Sequence, residues 1–191
     1  MSGRMCLVEE YELIERSRQG DVDCFNQLVE RYQREVYNLS LRMLGNAQAA
    51  EDATQEAFIS AFKGMGRFRG GSFRAWLFRI AANACRDQLR SLRRRPSTSL
   101  DALPIELEFD RHSLSPEEYA MNQELGAEIR RALSLLPTDQ RLAVILRDIL
   151  GLDYEEIASA TGSSLGTVKS RLSRGRARLR HHLEQYREPF P

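Results

Sequence analysis

Two short helical patterns joined by a glycine turn lie between Asp153 and Arg180, and this stretch constrains the fold more than any other. Asp153 and Glu156 have the spacing of a capping box, in which each side chain accepts a hydrogen bond from the other residue's backbone amide. Gly162 tolerates the positive φ that ends a helix, and Ser164 can cap the helix that follows. A short helix, a tight turn and a second helix together predict a helix-turn-helix.

The second helix of this unit is basic on all sides but one. Its apolar stripe consists of Val168, Leu172 and Leu179, which repeat at helical spacing. The remaining faces carry hydroxyl groups and cations at Thr167, Lys169, Ser170, Arg171, Ser173, Arg174, Arg176, Arg178 and Arg180. Because such a helix lies in the major groove of duplex DNA, the pattern predicts a DNA-binding unit. The alternative is a helical hairpin whose basic face is only solvated.

Charge is sorted into blocks along the chain, although the formal net charge is only +1. From Arg67 to Arg95 the only acid is Asp87, and the segment 101–128 is acidic with a single base, Arg111. From residue 169 to 187 the chain is basic again. Two basic blocks on either side of an acidic one predict two surfaces that meet a polyanion.

The helix predicted from about Ala47 to Lys63 has two different faces. An apolar stripe of alanines, with Phe58, is typical of a buried side. A second stripe contains Glu51, Asp52, Gln55 and Glu56, which share a face because residues one turn apart are neighbours on a helix. Taken alone, this acidic and polar face fits a solvated surface.

A glycine-rich loop with arginines and aromatic residues then leads into a long basic helix that ends near Arg94. The loop lacks the lysine and the Gly-Lys-Ser/Thr order of a phosphate-binding P-loop. Arginines that follow phosphates, next to aromatic rings that contact exposed bases, are typical of single-stranded nucleic acid binding. For Trp76, packing in the core and contact with a base are equally consistent with the sequence.

The fold class predicted from these patterns is all-α, because helical periodicity recurs and no strand alternation is found. Arg95-Pro96 ends the long helix, and residues 96–114 lack periodicity and read as an acidic, flexible linker. Ser115, followed by proline and two glutamates, starts the next helix. We therefore expect two small helical domains, over residues 1–95 and 115–191, with the helix-turn-helix in the second.

Several function classes are excluded by what the sequence lacks. Cys6, Cys24 and Cys85 are widely spaced, so neither a metal site nor a disulfide framework is predicted. No nucleophile is paired with a histidine, so we expect no enzyme and no cofactor. No apolar run is long enough to span a bilayer and no signal peptide is recognisable, so we expect a cytoplasmic protein without membrane contact of its own.

Two long segments resemble a known family. The run NAQAAEDATQEAFISAF with FRGGSFRAWLFRIAANACRDQLR resembles the second conserved region of bacterial sigma factors of the extracytoplasmic-function (ECF) group. The run SLLPTDQRLAVILRDILGLDYEEIASATGSSLGTVKSRLSRGRARLR is similar to their fourth region. The resemblance implies a transcription initiation factor that binds core RNA polymerase, directs it to promoters and helps to melt the −10 element. It also implies an anti-sigma factor as a partner.

The resemblance also implies roles for individual residues, position by position. The polymerase-binding residues would be Asp52, Gln55 and Glu56. The −10 strand would be bound by Arg67, Phe68, Gly70, Gly71, Phe73, Trp76, Asn83, Arg86 and Arg90, with the loop accepting a flipped base. In the −35 duplex, Lys169, Ser170, Ser173 and Arg174 would point into the major groove, with Thr167, Arg171 and Arg178 nearer the phosphates.

One position departs from the family pattern. Gly175 stands where these proteins usually have alanine, and a glycine inside a helix costs about 1 kcal/mol of helix propensity. The expectation from sequence is a recognition helix whose straightness is in doubt. The alternative function is a helix-turn-helix transcription regulator that acts without core polymerase, which would not need the acidic face or the arginine-aromatic loop.

Overall fold

The computed structural model describes residues 2–94 and 126–184, and these residues form helices joined by short turns, with no strand among them. The predicted all-α fold with two helical domains is confirmed. The first domain contains α1 (Ser2–Arg18), α2 (Val22–Leu44), α3 (Ala47–Gly64) and α4 (Phe73–Arg94). The second contains α5 (described over 126–134), α6 (Thr138–Val144), α7 (Tyr154–Thr161) and α8 (Leu165–Glu184). The predicted linker 96–114 and the helix start at Ser115 lie outside the described residues.

Polar caps set the helix boundaries of the first domain. Asp21 accepts a hydrogen bond from the Cys24 amide at 3.0 Å at the start of α2, and Asn46 accepts one from the Ala49 amide at 2.8 Å at the start of α3. Between them, Gly45 ends α2 in the left-handed region, at φ 71°. Each side chain satisfies an amide that has no partner inside its own helix.

The core of the first domain lies between α2, α3 and α4. The periodic apolar residues of α2 are buried, with Val36, Leu39 and Met43 fully enclosed. On α3, the residues that face α2 and α4 are alanines, and all four are fully buried: Ala50, Ala53, Ala57 and Ala61. Since alanine has only a methyl group, α3 lies close to its neighbours, and its polar residues are left on the opposite, exposed side.

The helix-turn-helix forms as its sequence signals predict. Asp153 accepts from the Glu156 amide at 2.7 Å, and the Glu156 carboxylate accepts from the Asp153 amide at 3.1 Å, which completes the capping box. Gly162 ends α7 at φ 62°, and Ser164 Oγ accepts from the Thr167 amide at 3.2 Å to start α8. The apolar stripe of α8 packs inward, with Val168 and Leu172 buried.

One feature ahead of the helix-turn-helix has no signal in the sequence. Helix α6 continues into a wider π-helical turn over Ile145–Ile149, in which backbone bonds span five residues. The turn ends with the Leu150 amide donating to the Ile145 carbonyl at 3.0 Å.

Gly175 lies where α8 passes against α6. It is buried, and a Cβ atom at this position would lie 2.8 Å from Val144 Cγ2 and 3.3 Å from the carbonyl oxygen of Gln140. α8 nevertheless runs unbroken from Leu165 to Glu184. The glycine therefore does not interrupt α8: it allows two helices to approach closely, and packing against α6 offsets its low helix propensity.

The two domains pack against each other, chiefly through α4 and α7. Each of four polar contacts joins one residue of each domain: Ser72 with Glu156, Arg74 with the Leu150 carbonyl, Arg86 with Asp139, and Arg141 with the Met43 carbonyl. The described part of the chain is thus a closed arrangement.

Candidate polymerase and nucleic-acid interfaces

The exposed side of α3 is polar and acidic at its N-terminal half. Asp52, Gln55 and Glu56 are all exposed, and none of them forms an ion pair within the described residues. The carboxylate of Glu56 accepts a hydrogen bond from Ser60 Oγ at 3.0 Å. The structure therefore places these three residues together on one accessible face that another protein can contact.

The same face becomes apolar towards the C-terminal end of α3, which the sequence reading did not identify. Ile59 and Phe62 are 40% and 39% exposed, one and two turns beyond Gln55. Phe62 rests its ring on Phe25 at a centroid distance of 5.0 Å. Exposed apolar side chains next to unpaired carboxylates are a combination found at protein interfaces, and the helical spacing of 55, 59 and 62 is the signal that could have found them.

The loop that precedes α4 depends on two consecutive glycines. Gly70 and Gly71 have φ values of 91° and 89°, in the region that glycine adopts without strain. Both are exposed, as is Arg67 at the end of the preceding 3-10 turn. Ser72 then caps α4 by accepting from the Ala75 amide at 3.1 Å. An exposed backbone next to an arginine is open to a nucleotide.

The aromatic residues of this region are packed rather than displayed. Phe68 and Phe73 are only 5% and 3% exposed, and their rings meet edge to face with centroids 5.7 Å apart. Trp76 lies 5.2 Å from Phe68 and is half-buried. The Trp76 ring also closes over Gly64, where an added Cβ would sit 3.4 Å from it. These rings form the floor under the loop, and Trp76 is the one of the three that stays partly exposed.

Tyr32 completes the aromatic cluster and was not predicted from sequence. Its ring centroid lies 5.6 Å from that of Phe73, and its hydroxyl donates to Glu10 at 2.6 Å. Burial and this bond raise the pKa of the Tyr32 phenol. The tyrosine was indistinguishable from other core residues because its partner in α1 is 22 positions away.

The polar residues of α4 differ in their solvent exposure and in their hydrogen-bond partners. Asn83 and Arg90 are exposed, and Arg90 pairs with Asp87 one turn away at 2.9 Å. Arg86 is more enclosed: it donates to Asn83 Oδ1 at 3.2 Å and to Asp139 of the second domain at 3.3 Å. The side chain proposed to line a DNA strand is thus engaged by another part of the protein.

Three cations of α8 are freely accessible. Lys169, Arg174 and Arg178 are exposed, and so is Ser173. The three cations form no ion pair with the described part of the chain. They project from the sides of the helix that face away from Val168 and Leu172. This is the arrangement that a helix needs to enter the major groove and place donors on bases and phosphates.

Three other predicted α8 residues have partners within the protein. The Thr167 and Ser164 hydroxyls are 2.9 Å apart, and Ser170 donates to the Thr167 carbonyl. Arg171 donates to Ser163 Oγ at 2.6 Å and to Asp139 at 2.7 Å. Arg171 therefore ties the turn of the helix-turn-helix to the start of α6.

The remaining candidate chemistry concerns cysteines and metals. Cys24 and Cys85 are buried, and burial raises the pKa of the Cys85 thiol to about 11. Across residues 2–94 and 126–184, no group of three or more histidine, cysteine or acidic side chains is placed to hold a metal ion. No helix in the same ranges is long and apolar enough to cross a membrane.

Comparison with known proteins agrees with this geometry. Residues 28–95 match the family described as Sigma-70 region 2, and residues 126–179 match Sigma-70, region 4. The RNA polymerase sigma-H factor of Pseudomonas aeruginosa is 39% identical over 175 residues, which cover 88% of this chain and 90% of that protein. The ECF RNA polymerase sigma-E factor of Escherichia coli K12 is 40% identical over 171 residues, covering 86% and 88%.

Solved structures show the same fold. CnrH, in complex with the cytosolic domain of CnrY, superposes with a TM-score of 0.69 and 28% identity over 93% of this chain and 98% of CnrH. The sigma factor RpoE of Bartonella quintana, in complex with the anti-sigma factor NepR, gives 0.64 and 29% identity over 84% and 96%. The chain belongs to the ECF group of bacterial RNA polymerase sigma factors, which initiate transcription with RNA polymerase.

Proposed function

We propose that this sigma factor divides its work between three surfaces. The α3 face of Asp52, Gln55 and Glu56 binds core RNA polymerase, α8 binds the −35 element as duplex, and the loop with α4 holds the melted −10 strand. The domains that carry these roles are residues 1–95 and 115–191. The observation that carries the proposal is the exposure of Lys169, Arg174 and Arg178, none of them in an ion pair with the described residues, on α8 of a fully capped helix-turn-helix.

The loop before α4, with the buried aromatic rings beneath it, is proposed to hold an unpaired base of the −10 strand. A base that leaves the stack costs a few kcal/mol of unstacking and unpairing. The exposed backbone of Gly70 and Gly71 can receive it, with the partly exposed Trp76 beside it and Arg67 close to its phosphate. Phe68 and Phe73 support the loop from below, since both rings are buried. The protein performs no chemistry on DNA and needs no cofactor, so it is not an enzyme.

The partners follow from this division of work and from the relatives. Two structurally similar sigma factors are bound to CnrY and to the anti-sigma factor NepR, and we extend an anti-sigma partner to this chain. Promoter DNA and polymerase are in the cytoplasm, and so is the proposed site of action. A regulator that acts without polymerase would leave the exposed carboxylates and apolar residues of α3 without a use.

Promoter-dependent transcription tests the proposed function directly. Core polymerase with this protein should produce discrete transcripts from a subset of a random promoter pool, whereas core polymerase alone should not. The absence of any transcript above the core-only background would refute the proposal.

The polymerase face is tested by Gln55→Ala combined with Glu56→Ala. A matched control is Asn26→Ala combined with Glu30→Ala, which removes one amide and one carboxylate from the exposed side of α2. We expect the first pair to weaken binding to core polymerase at least tenfold and to leave DNA binding by the free chain unchanged. Equal losses in both assays, or an equal effect of the control, would count against the assigned face.

A further inference from the structure

Three arginines from three helices meet where the C-terminal ends of α2 and α5 come together. Arg141 of α6 defines this junction, because its guanidinium group donates to the Met43 carbonyl at 2.7 Å and also to the Ser134 carbonyl. Arg42 is the residue before Met43 in α2. Arg130 precedes Ser134 by one turn of α5, and residues one turn apart share a helix face. The junction thus brings together cations from both domains.

Two of these arginines are not neutralised by the protein. Neither Arg42 nor Arg130 pairs with a carboxylate within residues 2–94 and 126–184. Arg42 donates to the carbonyl of Asn38 at 3.3 Å and to its side-chain oxygen at 3.2 Å. The Nη1 atom of Arg130 is shielded from solvent and has no hydrogen-bond acceptor. A shielded donor without an acceptor has lost its bonds to water and gained none in exchange.

The two guanidinium groups also oppose each other. Burial, together with the positive charge of Arg130, lowers the pKa of Arg42, and burial lowers the pKa of Arg130. Both side chains are partly buried, so water screens their repulsion less than it would on an open surface. An anion between them would remove this repulsion and would supply the acceptor that Arg130 Nη1 lacks.

The chemistry of the junction fits a phosphate group. The guanidinium is a planar fork whose N–H donors match phosphate oxygens two at a time. A phosphate monoester carries about −1.5 to −2 charges at pH 7, which is close to the combined charge of Arg42 and Arg130, whereas a carboxylate carries only one. Because the junction lies between α2, α5 and α6, it favours a small free ligand over the backbone of a nucleic acid.

We infer that Arg42 and Arg130 form a binding site for a small phosphate-bearing ligand, of the class of pyrophosphate or a nucleoside diphosphate, at the junction of α2 and α5. Arg141 positions the site, since it holds the two helix ends together through their backbone carbonyls. The site takes one arginine from each domain. It is separate from the surfaces proposed for polymerase, for the −10 strand and for the −35 duplex.

Calorimetric titration of the full-length chain with pyrophosphate tests the inference. The ionic strength is held constant with sodium chloride, so that general screening of the basic surfaces does not change during the titration. We expect one site per chain in the unaltered protein. Arg130→Gln and Arg42→Gln should each bind pyrophosphate about tenfold more weakly or worse, because each loses a charged hydrogen-bond donor. Far-UV circular dichroism checks that both variants are folded.

The chain offers controls on the same helix and at a distance. Arg131→Gln removes the same charge from the next residue of α5, where the side chain is exposed and pairs with Glu128 at 3.1 Å. Arg174→Gln removes an exposed cation from α8. Both variants should bind pyrophosphate as the unaltered chain does. Arg130→Lys keeps the charge but loses the planar fork, and it should restore binding only in part.

Thermal unfolding supplies a second readout. A ligand that binds only the folded chain raises its Tm, so pyrophosphate should raise the Tm of the unaltered chain and of Arg131→Gln but not that of Arg130→Gln. Adenosine diphosphate and a single-stranded DNA 12-mer are titrated alongside pyrophosphate, because a phosphate group can come from a free ligand or from a nucleic acid. The free ligands should bind in a manner that depends on Arg130.

Three outcomes would overturn the inference. The first is no binding of pyrophosphate or adenosine diphosphate to the unaltered chain. The second is binding that Arg174→Gln abolishes and Arg130→Gln leaves intact, which would assign the anion to α8. The third is a dependence on Arg130 for the 12-mer alone, which would make the phosphate that of a nucleic acid.

Discussion

Replacing Gly175 by alanine should destabilise the second domain, although alanine is the better helix former. Alanine gains about 1 kcal/mol of helix propensity over glycine. Its Cβ, however, would lie 2.8 Å from Val144 Cγ2 and 3.3 Å from the Gln140 carbonyl oxygen. Val144 is a buried, β-branched residue with little freedom to move, and overfilling a packed site costs about 1–3 kcal/mol. We expect a net loss of up to about 2 kcal/mol.

A second glycine of the same helix provides the control. Gly166 is exposed, and the nearest atom to an added Cβ is Ser164 Oγ at 3.9 Å. Gly166→Ala should therefore stabilise the helix by up to about 1 kcal/mol. The measurement is urea unfolding of the full-length chain followed by circular dichroism, with the midpoint and slope compared between variants.

The double-mutant cycle with Val144→Ala isolates the contact. Val144→Ala alone removes two buried methyl groups and destabilises the domain. In that background Gly175→Ala should be less destabilising than in the unaltered chain, because the closer clashing atom, Val144 Cγ2, is gone while the propensity gain remains. We expect a coupling energy of about 1–3 kcal/mol between the two sites. If Gly175→Ala stabilises the unaltered chain as much as Gly166→Ala does, the close approach of α8 and α6 is refuted.

Three further predictions concern single residues. Asp153→Ala should remove the capping box of α7 and lower the free energy of unfolding by about 1 kcal/mol in thermal melts, whereas Glu155→Ala, an exposed neighbour, should change it little. Because the folded-state pKa of Cys85 is raised to about 11 from 9.0, its contribution to stability is complete below pH 9 and is lost between pH 9 and 11. Cys85→Ala should flatten that part of the stability profile, and iodoacetamide should label Cys85 at pH 8 only after unfolding. Arg174→Ala should weaken the binding free energy for −35 duplex DNA by about 1–3 kcal/mol and relax the preference at one base position. Arg178→Ala should weaken binding to all duplexes alike and lower the slope of log affinity against log salt concentration by about 0.9. Identical specificity profiles for the two variants would contradict these roles.

The parts of the fold that the sequence predicts are those decided locally. The cap at Asn46 and the end of α7 at Gly162 need only residues within one turn, and a short-range pattern determines them. The alanine side of α3 was predictable for the same reason. The π-helical turn at Ile145–Ile149 was not, because no residue pattern distinguishes it from a normal turn.

The candidate site was harder to predict where a residue has two plausible partners. Phe68 and Phe73 stand next to arginines, and the sequence alone does not separate a base-stacking ring from a core ring. The sequence suggested that Arg171 contacts a DNA phosphate. In the structure it donates to Asp139 at 2.7 Å, although the two residues are 32 positions apart in the sequence. Contacts that join distant segments, including those between the domains, depend on the packing of whole helices and leave no periodic signal.

The four buried alanines of α3 have a genetic consequence. Any larger side chain at Ala50, Ala53, Ala57 or Ala61 would push α3 away from α2 and α4 and would move its outer face as a unit. If that face binds polymerase as proposed, affinity for polymerase would depend on the buried alanine positions as well. A selection for altered holoenzyme formation should therefore recover changes from two sets of codons, those of the exposed face and those of the methyl groups directly beneath it.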